Sequence, residues 1–186
     1  MNSSTITFNS EVTEKDMIEL TKHASFLKLG AILCFVGYSL FDIIFCIYNG
    51  GLDPNNPNQL NILGWGTFLF AFTTSMVYFG YKRLPYTRGK KAFKKFKKMG
   101  STETKIVFHK DSNVFTAGRS SHTITPDKNM QVVKTKERYL FYFGKGLYSP
   151  SFCISATSQT EVVKVEKIMN HLSNTYPQIK VETKEQ

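Results

Sequence analysis

Two long apolar runs constrain this sequence more than any other feature. From Leu29 to Tyr48 the one charged residue is Asp42, and from Leu60 to Tyr81 there is none. Each run is about 20 residues long, which at ~1.5 Å per residue matches the roughly 30 Å hydrocarbon thickness of a bilayer. The alternative is a pair of buried core helices, but the rest of the 186-residue chain is too short to cover both. The sequence therefore predicts a transmembrane helical hairpin.

The flanks of these runs agree with two retained spans. A cleaved signal peptide fits poorly, because about 25 largely polar residues precede the first run and a second run follows it. The connection from Asn49 to Asn61 is turn-rich and contains no Lys or Arg. Aromatic side chains near the span ends, where the headgroup region favours them, are predicted interface anchors: Tyr48, Trp65, Tyr78 and Tyr81.

Positive charge is concentrated directly after the second span. The net charge is +10, and residues 82–100 contain nine cations and no acid. Short basic segments beside a span stay in the cytoplasm, so both termini are predicted to be cytoplasmic and the short loop to lie outside. The nine cations are Lys82, Arg83, Arg88, Lys90, Lys91, Lys94, Lys95, Lys97 and Lys98.

These cations are predicted to bind the membrane surface. Anionic lipid headgroups attract Lys and Arg by about 1 kcal/mol per residue near the surface. The alternative is that the cations serve only to set the topology. Nucleic acid would use the same electrostatics, but the adjacent bilayer competes for the charge, so no nucleic-acid partner is predicted.

The N-terminal segment, residues 1–25, is predicted to contain a strand and a helix. The stretch from Thr5 to Phe8 alternates in the manner of a short strand. Thr13 is followed three residues later by Asp16, a variant of the pattern that caps the start of a helix. This helix is expected to run straight into the first span.

A basic amphipathic linker, residues 82–100, is predicted to follow the hairpin of residues 26–81, whose spans are placed at about 29–48 and 60–81. Pro85 is expected to interrupt the second helix, so that a new helix covers Arg88 to Met99. Its apolar stripe is narrow, and two arrangements fit it: lying on the membrane, or packing against the C-terminal domain. The stripe consists of Ala92, Phe93, Phe96 and Met99.

The C-terminal region, residues 101–178, is predicted to be an α+β domain followed by a polar tail, residues 179–186. Six short β-like runs are separated by turn residues at close spacing, which favours an antiparallel meander. Ser158 to Glu161 is a capping box that opens an amphipathic helix, and Pro177 stops it. An antiparallel sheet of about six strands capped by a C-terminal helix is typical of a pleckstrin-homology-like domain. The apolar helix face is Val162, Val165, Met169, Leu172 and Tyr176.

Asp42 is the only charged residue inside either predicted span. A charged carboxyl there costs about 2.5 to 3.5 kcal/mol, so hydrogen bonds from Tyr38, Ser39 or Thr67 are expected to compensate it. The simplest role is a neutral or hydrogen-bonded carboxyl that holds the hairpin together. A proton or ion pathway needs several such groups.

The cysteines and histidines give no metal or redox motif. Cys34, Cys46 and Cys153 lack any CxxC or metal-ligand spacing, and they are predicted to be buried apolar residues. The four histidines are scattered without paired carboxylates. No cofactor and no metal is predicted.

Six short segments carry a resemblance to a known family: Ile6–Phe8, Thr13–Met17, Leu84–Pro85, Ile106–Phe108, Arg138–Tyr142 and Ser149–Phe152. In the order and spacing of these segments the chain resembles the YcxB-like family of small bacterial membrane proteins. The resemblance implies a bacterial cell-membrane protein with a pleckstrin-homology-like domain, and it implies no chemistry. The chain departs from the family at Pro126 to Asn129, where members often have a Trp, and at Ser151, where they have a basic residue.

No catalytic constellation is recognisable, so an enzyme is not predicted. The leading hypothesis is a membrane-anchored binding or regulatory protein, whose cytoplasmic domain engages a protein partner or the anionic membrane surface. The alternative hypothesis is self-immunity against a membrane-active peptide or toxin, since a small two-span hairpin can occlude a target in the bilayer.

Overall fold

The structure, a computed structural model, describes residues 4–100, 102–118, 122–126, 129–144 and 149–184. The chain divides into two compact units. The sheet unit combines Met1–Ser25 with Tyr86–Gln186, and the hairpin unit is Phe26–Pro85.

The described residues form eight strands and four helices. In chain order they are β1 (Thr5–Glu11), α1 (Glu14–Lys22), α2 (Ser25–Tyr48), α3 (Gln59–Lys98), β2 (Glu103–His109), β3 (Val114–Ala117), β4 (His122–Ile124), β5 (Met130–Lys134), β6 (Arg138–Phe143), β7 (Ser151–Ser155), α4 (Gln159–Thr175) and β8 (Lys180–Thr183).

The hairpin unit contains α2 and the first part of α3. Both helices are long and apolar enough to cross a membrane, with candidate spans in Phe26–Tyr48 and Gln59–Lys98. Their large apolar side chains face outward instead of filling a core. Those more than half exposed include Leu29, Ile32, Leu33, Phe41, Ile44, Phe68, Phe72 and Phe79.

The two helices contact each other along one side, and a short loop joins them. The Phe35 and Phe70 rings meet edge to face with centroids 6.1 Å apart. In the loop, Asn56 Nδ2 donates to the backbone oxygens of Asn49 (3.2 Å) and Gly50 (3.0 Å). Gly50 has a φ of 73°, a left-handed conformation that suits glycine at this turn.

Pro85 does not end the second helix. Helix α3 runs without interruption from Gln59 to Lys98 and contains Pro85, so the predicted new helix at Arg88 is wrong. An internal proline removes one amide hydrogen bond and crowds the preceding turn. That cost is local, and the helix extends for several turns on both sides of it.

The expected continuity between α1 and the first span is also wrong. Helix α1 ends at Lys22, and the backbone N–H of His23 caps it by donating to the oxygens of Glu19 and Thr21. Helix α2 then begins at Ser25. The N-terminal capping of α1 by Thr13 is as predicted, with the reciprocal Thr13 and Asp16 bonds both present.

The sheet unit holds two four-stranded sheets. One has the order β1-β2-β3-β4, with each neighbouring pair antiparallel. The other has the order β7-β6-β5-β8, in which β8 runs parallel to β5 and the remaining pairs are antiparallel. The predicted antiparallel strands and C-terminal helix are confirmed, and the six predicted runs correspond to β2–β7. The single sheet of about six strands is wrong, because β1 and β8 join them to make eight strands in two sheets.

Strands β1 and β8 were not predicted as members of these sheets, for two different reasons. Strand β1 was expected as a strand, but its partner β2 lies beyond the hairpin in the sequence, so the pairing of Phe8 with Ile106 was not anticipated. Strand β8 lies in the predicted polar tail. Its one apolar residue is Val181, and its pairing with β5 depends on backbone hydrogen bonds that leave little sequence pattern.

Aromatic side chains from both sheets form the core. Phe115 of β3 contacts Phe108, Phe141 and Phe152, with ring centroids 4.7, 5.6 and 5.2 Å away. Helix α4 closes the core with its predicted apolar face, begun by the Ser158 capping box. Of that face, Val165 and Leu172 are fully buried, while Val162 and Tyr176 are partly buried against the core. Ile168, which the prediction omitted, is fully buried as well.

Candidate functional site

The basic segment, residues 82–98 of α3, exposes all nine cations. Lys82 Nζ lies 4.5 Å from the centroid of the Tyr78 ring, and Lys90 Nζ lies 3.6 Å from Glu14 Oε1. The cations are distributed around the exposed sides of one helix, so the segment presents a dense positive surface.

The buried side of this segment differs from the predicted stripe. Pro85 and Gly89, four residues apart, are buried, and Phe93 is half-buried one turn further on. Ala92 and Met99, both assigned to the stripe, are exposed. Phe93 and Phe96 of the predicted stripe are both half-buried, and Gly89, which the stripe omitted, is buried.

Helix α1 packs directly on this buried side. A Cβ added to Gly89 would lie 2.6 Å from the Cα of Ile18. That distance is shorter than any real Cβ contact, so only glycine permits this approach of the two helices. The basic segment therefore contacts the N-terminal helix at Gly89, with its cations exposed. Whether it also lies on the membrane or on the C-terminal domain stays a prediction.

A buried ion pair fixes α1 to the second sheet. Asp16 is 2% exposed, and its Oδ1 accepts from Arg138 Nε at 2.6 Å and from Ser155 Oγ at 3.3 Å. Its Oδ2 accepts from the backbone N–H of Thr13 at 2.8 Å and from the Thr13 hydroxyl at 2.7 Å. Both carboxylate oxygens are thus satisfied by donors from three elements.

These donors determine the charge state of Asp16. Burial alone would raise the pKa of this carboxyl, but the hydrogen bonds from Arg138 and Thr13, with the guanidinium charge, hold it below its usual value. Asp16 is therefore an ionised, fully paired structural group. It has no spare hydrogen-bonding capacity for chemistry.

Tyr142 and Cys153, which lie on β6 and β7 close to α1, are not reactive groups either. The Tyr142 hydroxyl donates to the backbone oxygen of Leu20 at 2.8 Å, and burial raises the pKa of Tyr142. Burial raises the pKa of the Cys153 thiol to about 12, so this cysteine is not a nucleophile near neutral pH.

Asp42 lies in the hairpin unit without the expected hydrogen bonds. It is 5% exposed, and its Oδ2 has no hydrogen-bond partner among the described residues. Ser39 donates to the backbone oxygen of Phe35 and Thr67 to that of Leu63, so two of the three hydroxyls expected to compensate Asp42 are engaged in their own helices. The third, that of Tyr38, makes no hydrogen bond to Asp42 Oδ2.

The predicted interface anchors lie on the exposed surface of α2 and α3. Tyr48 is 89% exposed at the last residue of α2, and Trp65 and Tyr78 are more than half exposed. Tyr81 is half-buried. Their role at a membrane interface stays a prediction.

Metal binding has no support in the described part of the chain, where no group of three His, Cys, Asp or Glu side chains could hold an ion. Cys153 is buried as predicted, whereas Cys34 is exposed and Cys46 is half-buried. The prediction that Cys34 and Cys46 are buried is therefore wrong within the protein itself, because neither side chain lies in a packed core.

The sequence did not reveal the Asp16–Arg138 pair. Asp16 was identified as a helix cap, but its partner is 122 residues away. The sequence does carry one indication of the pair: Arg138 begins an otherwise apolar strand, Arg138–Phe143. A cation that is buried with such a strand needs an anionic partner.

Comparisons with family models, with curated proteins and with solved structures find no match to this chain.

Proposed function

We propose that this protein is a non-enzymatic, membrane-anchored binding protein whose basic segment engages anionic lipid headgroups. The observation that carries the proposal is an outward-facing apolar helical hairpin followed, along the same helix, by nine exposed cations. Apolar helices of this length, with their large side chains exposed, need a hydrocarbon environment.

The β1–β2 pairing supports placing both ends of the hairpin on one side of the bilayer. Strand β1 precedes the two helices, β2 follows them, and the two strands pair over seven residues, from Thr5–His109 to Glu11–Glu103. A bilayer cannot lie between hydrogen-bonded strands, so an even number of crossings is required. The basic segment then favours the cytoplasmic side for both termini.

The sheet unit is proposed to be a pleckstrin-homology-like domain, and the chain to be related to the YcxB-like family. The support is two antiparallel sheets around an aromatic core, with α4 closing the core. A domain of this kind with no recognisable catalytic constellation suits recruitment of a protein or contact with lipid better than catalysis.

Membrane insertion and topology are tested together. The full chain should resist alkaline carbonate extraction from membranes. On a cysteine-free background, a probe at Asn58 in the loop should be labelled in intact cells and one at Ser112 should not. Asn58 is preferred to Asn56, whose side chain closes the loop. Labelling at Ser112 alone would invert the topology, and extraction by carbonate would remove the membrane proposal.

Headgroup binding is tested by amine footprinting of the full chain in nanodiscs. Acetylation of Lys91, Lys94 and Lys95 should be slower with phosphatidylglycerol than with phosphatidylcholine alone, and high salt should abolish the difference. Lys164, exposed on α4, is the matched control. Equal acetylation rates in both lipids would contradict headgroup binding, and the cations would then serve only to set the topology.

A protein partner of the sheet unit is tested separately, by a pull-down of the full chain in mild detergent.

A further inference from the structure

The hairpin unit contains an apolar groove that the proposed headgroup binding does not use. It lies between α2 and α3 and has a volume of about 490 Å³. Leu33, Phe41 and Leu69 line it, and Asp42 and Thr73 supply polar atoms. A volume of this size is typical of sites for small molecules, which fall at roughly 300 to 1,000 Å³.

Asp42 and Thr73 present hydrogen-bond acceptors to the groove, which Tyr38 and Cys34 also line. Asp42 Oδ2 has no partner among the described residues, although the side chain is 5% exposed. The Thr73 hydroxyl donates its hydrogen to the backbone oxygens of Leu69 (2.9 Å) and Phe70 (3.1 Å), which leaves its oxygen as an acceptor. The terminal torsion of an aspartate is broad, so rotation of the carboxylate about it presents either oxygen to the groove.

An unpaired carboxylate oxygen in apolar walls favours an occupant that brings donors and positive charge. An ammonium group offers three donors and no acceptor. Asp42 is six residues from Tyr48, the end of α2, which is about 9 Å along the helix. The head of an amphiphile entering from the loop side therefore reaches the carboxyl while its chain contacts the groove.

A second copy of this chain does not supply such a group. The two apolar runs, Leu29 to Tyr48 and Leu60 to Tyr81, contain no Lys or Arg. A symmetric contact would instead bring two Asp42 side chains toward one site and would supply no cation there.

We propose that this groove binds a membrane-partitioned primary alkylamine, with the ammonium group on Asp42 and the alkyl chain along Leu33, Phe41 and Leu69. The inference rests on the membrane part of the proposed function. It adds a site and a class of ligand, a cationic amphiphile with a single apolar chain. Removing the carboxylate charge should therefore weaken amine binding and leave neutral amphiphiles unaffected.

The test uses the full chain in phosphatidylcholine nanodiscs. Trp65 is the sole tryptophan and lies one turn before Leu69 on α3, so its fluorescence reports on the groove. A nitroxide-labelled dodecylamine should quench Trp65 saturably, whereas the equivalent dodecanol should quench only by partitioning. Asp42→Asn should weaken amine binding by about tenfold or more, because a charge-assisted hydrogen bond is lost.

Asp53→Asn is the matched control, because Asp53 lies in the loop and caps the backbone N–H of Asn55. Its quenching curve should equal that of the wild type. Equal quenching by amine and alcohol, or equal effects of the two substitutions, would overturn the proposal. So would loss of a dimer in Asp42→Asn without any amine binding, which would assign the groove to self-association. Circular dichroism checks that the variants are folded, and failure to incorporate into nanodiscs would instead refute the membrane proposal.

Discussion

Arg138 Nε lies 2.6 Å from Asp16 Oδ1 and connects the start of β6 to the first turn of α1. The Asp16 side chain is 3% exposed and that of Arg138 is 14% exposed, so water replaces neither partner readily. Because α1 also packs on Gly89, this pair contributes to how the basic segment is held.

Removing one partner of this pair should destabilise the sheet unit. Arg138→Met leaves the Asp16 charge buried without its main donor, and we expect a loss of about 3 kcal/mol or more in the free energy of unfolding. Limited proteolysis of the full chain across a urea series measures it. Glu137→Gln is the control, because that carboxylate is 55% exposed and should contribute little. An unchanged proteolysis midpoint for Arg138→Met would refute a structural role for the pair.

The same pair predicts a loss of stability in acid. The pKa of Asp16 is lower in the folded state than in the unfolded chain, so the unfolded chain binds the proton more readily. The contribution is therefore complete above the unfolded pKa of about 4 and is lost as the pH falls through the folded pKa. Glu19, beside the His23 ring, has a lowered pKa and acts in the same direction.

Comparison with Asp16→Asn isolates this contribution. The stability difference between wild type and variant, measured from pH 7 to pH 3 by the same proteolysis, should narrow below pH ~4. A constant difference across this range would mean that the charge of Asp16 is not what stabilises the pair.

Gly89→Ala should separate α1 from α3. The new Cβ would overlap the backbone of Ile18, so hydrogen exchange in α1 should accelerate. Gly80→Ala is the matched control in the same helix, since nothing lies within 4 Å of its Cβ position. There the substitution should stabilise by up to about 1 kcal/mol. Equal exchange in the two variants would contradict the close contact at Gly89.

The sheet unit should fold without the hairpin, but only with both of its parts. Residues 86–186 alone lack β1, which carries the buried core residue Phe8, and α1, which carries Asp16. We expect that piece to aggregate. Residues 1–25 joined to residues 86–186 by a flexible linker should give a dispersed amide spectrum. A folded 86–186 fragment would show that β1 is dispensable.

The sequence predicted those features that have a local pattern. Both apolar helices, the two capping boxes and most of the core face of α4 were predicted from spacing, because each depends on residues within one or two turns. The contact surface at Gly89 was missed, since glycine contributes by the absence of a side chain. The pairing of β1 with β2 and of Arg138 with Asp16 was missed because the partners are separated by about a hundred residues or more.

The order of synthesis affects how this protein folds, because β1 pairs with β2, which follows three helices in the chain. Strand β1 leaves the ribosome first, but β2, ending at His109, follows only after both long helices have been made. At roughly 5 to 20 residues per second, that delay is on the order of 5 to 20 s. During it, the first 25 residues have no sheet to join. Insertion of the hairpin should therefore precede folding of the sheet unit, and the N-terminal segment must stay unfolded and accessible to chaperones and proteases until translation has passed β2.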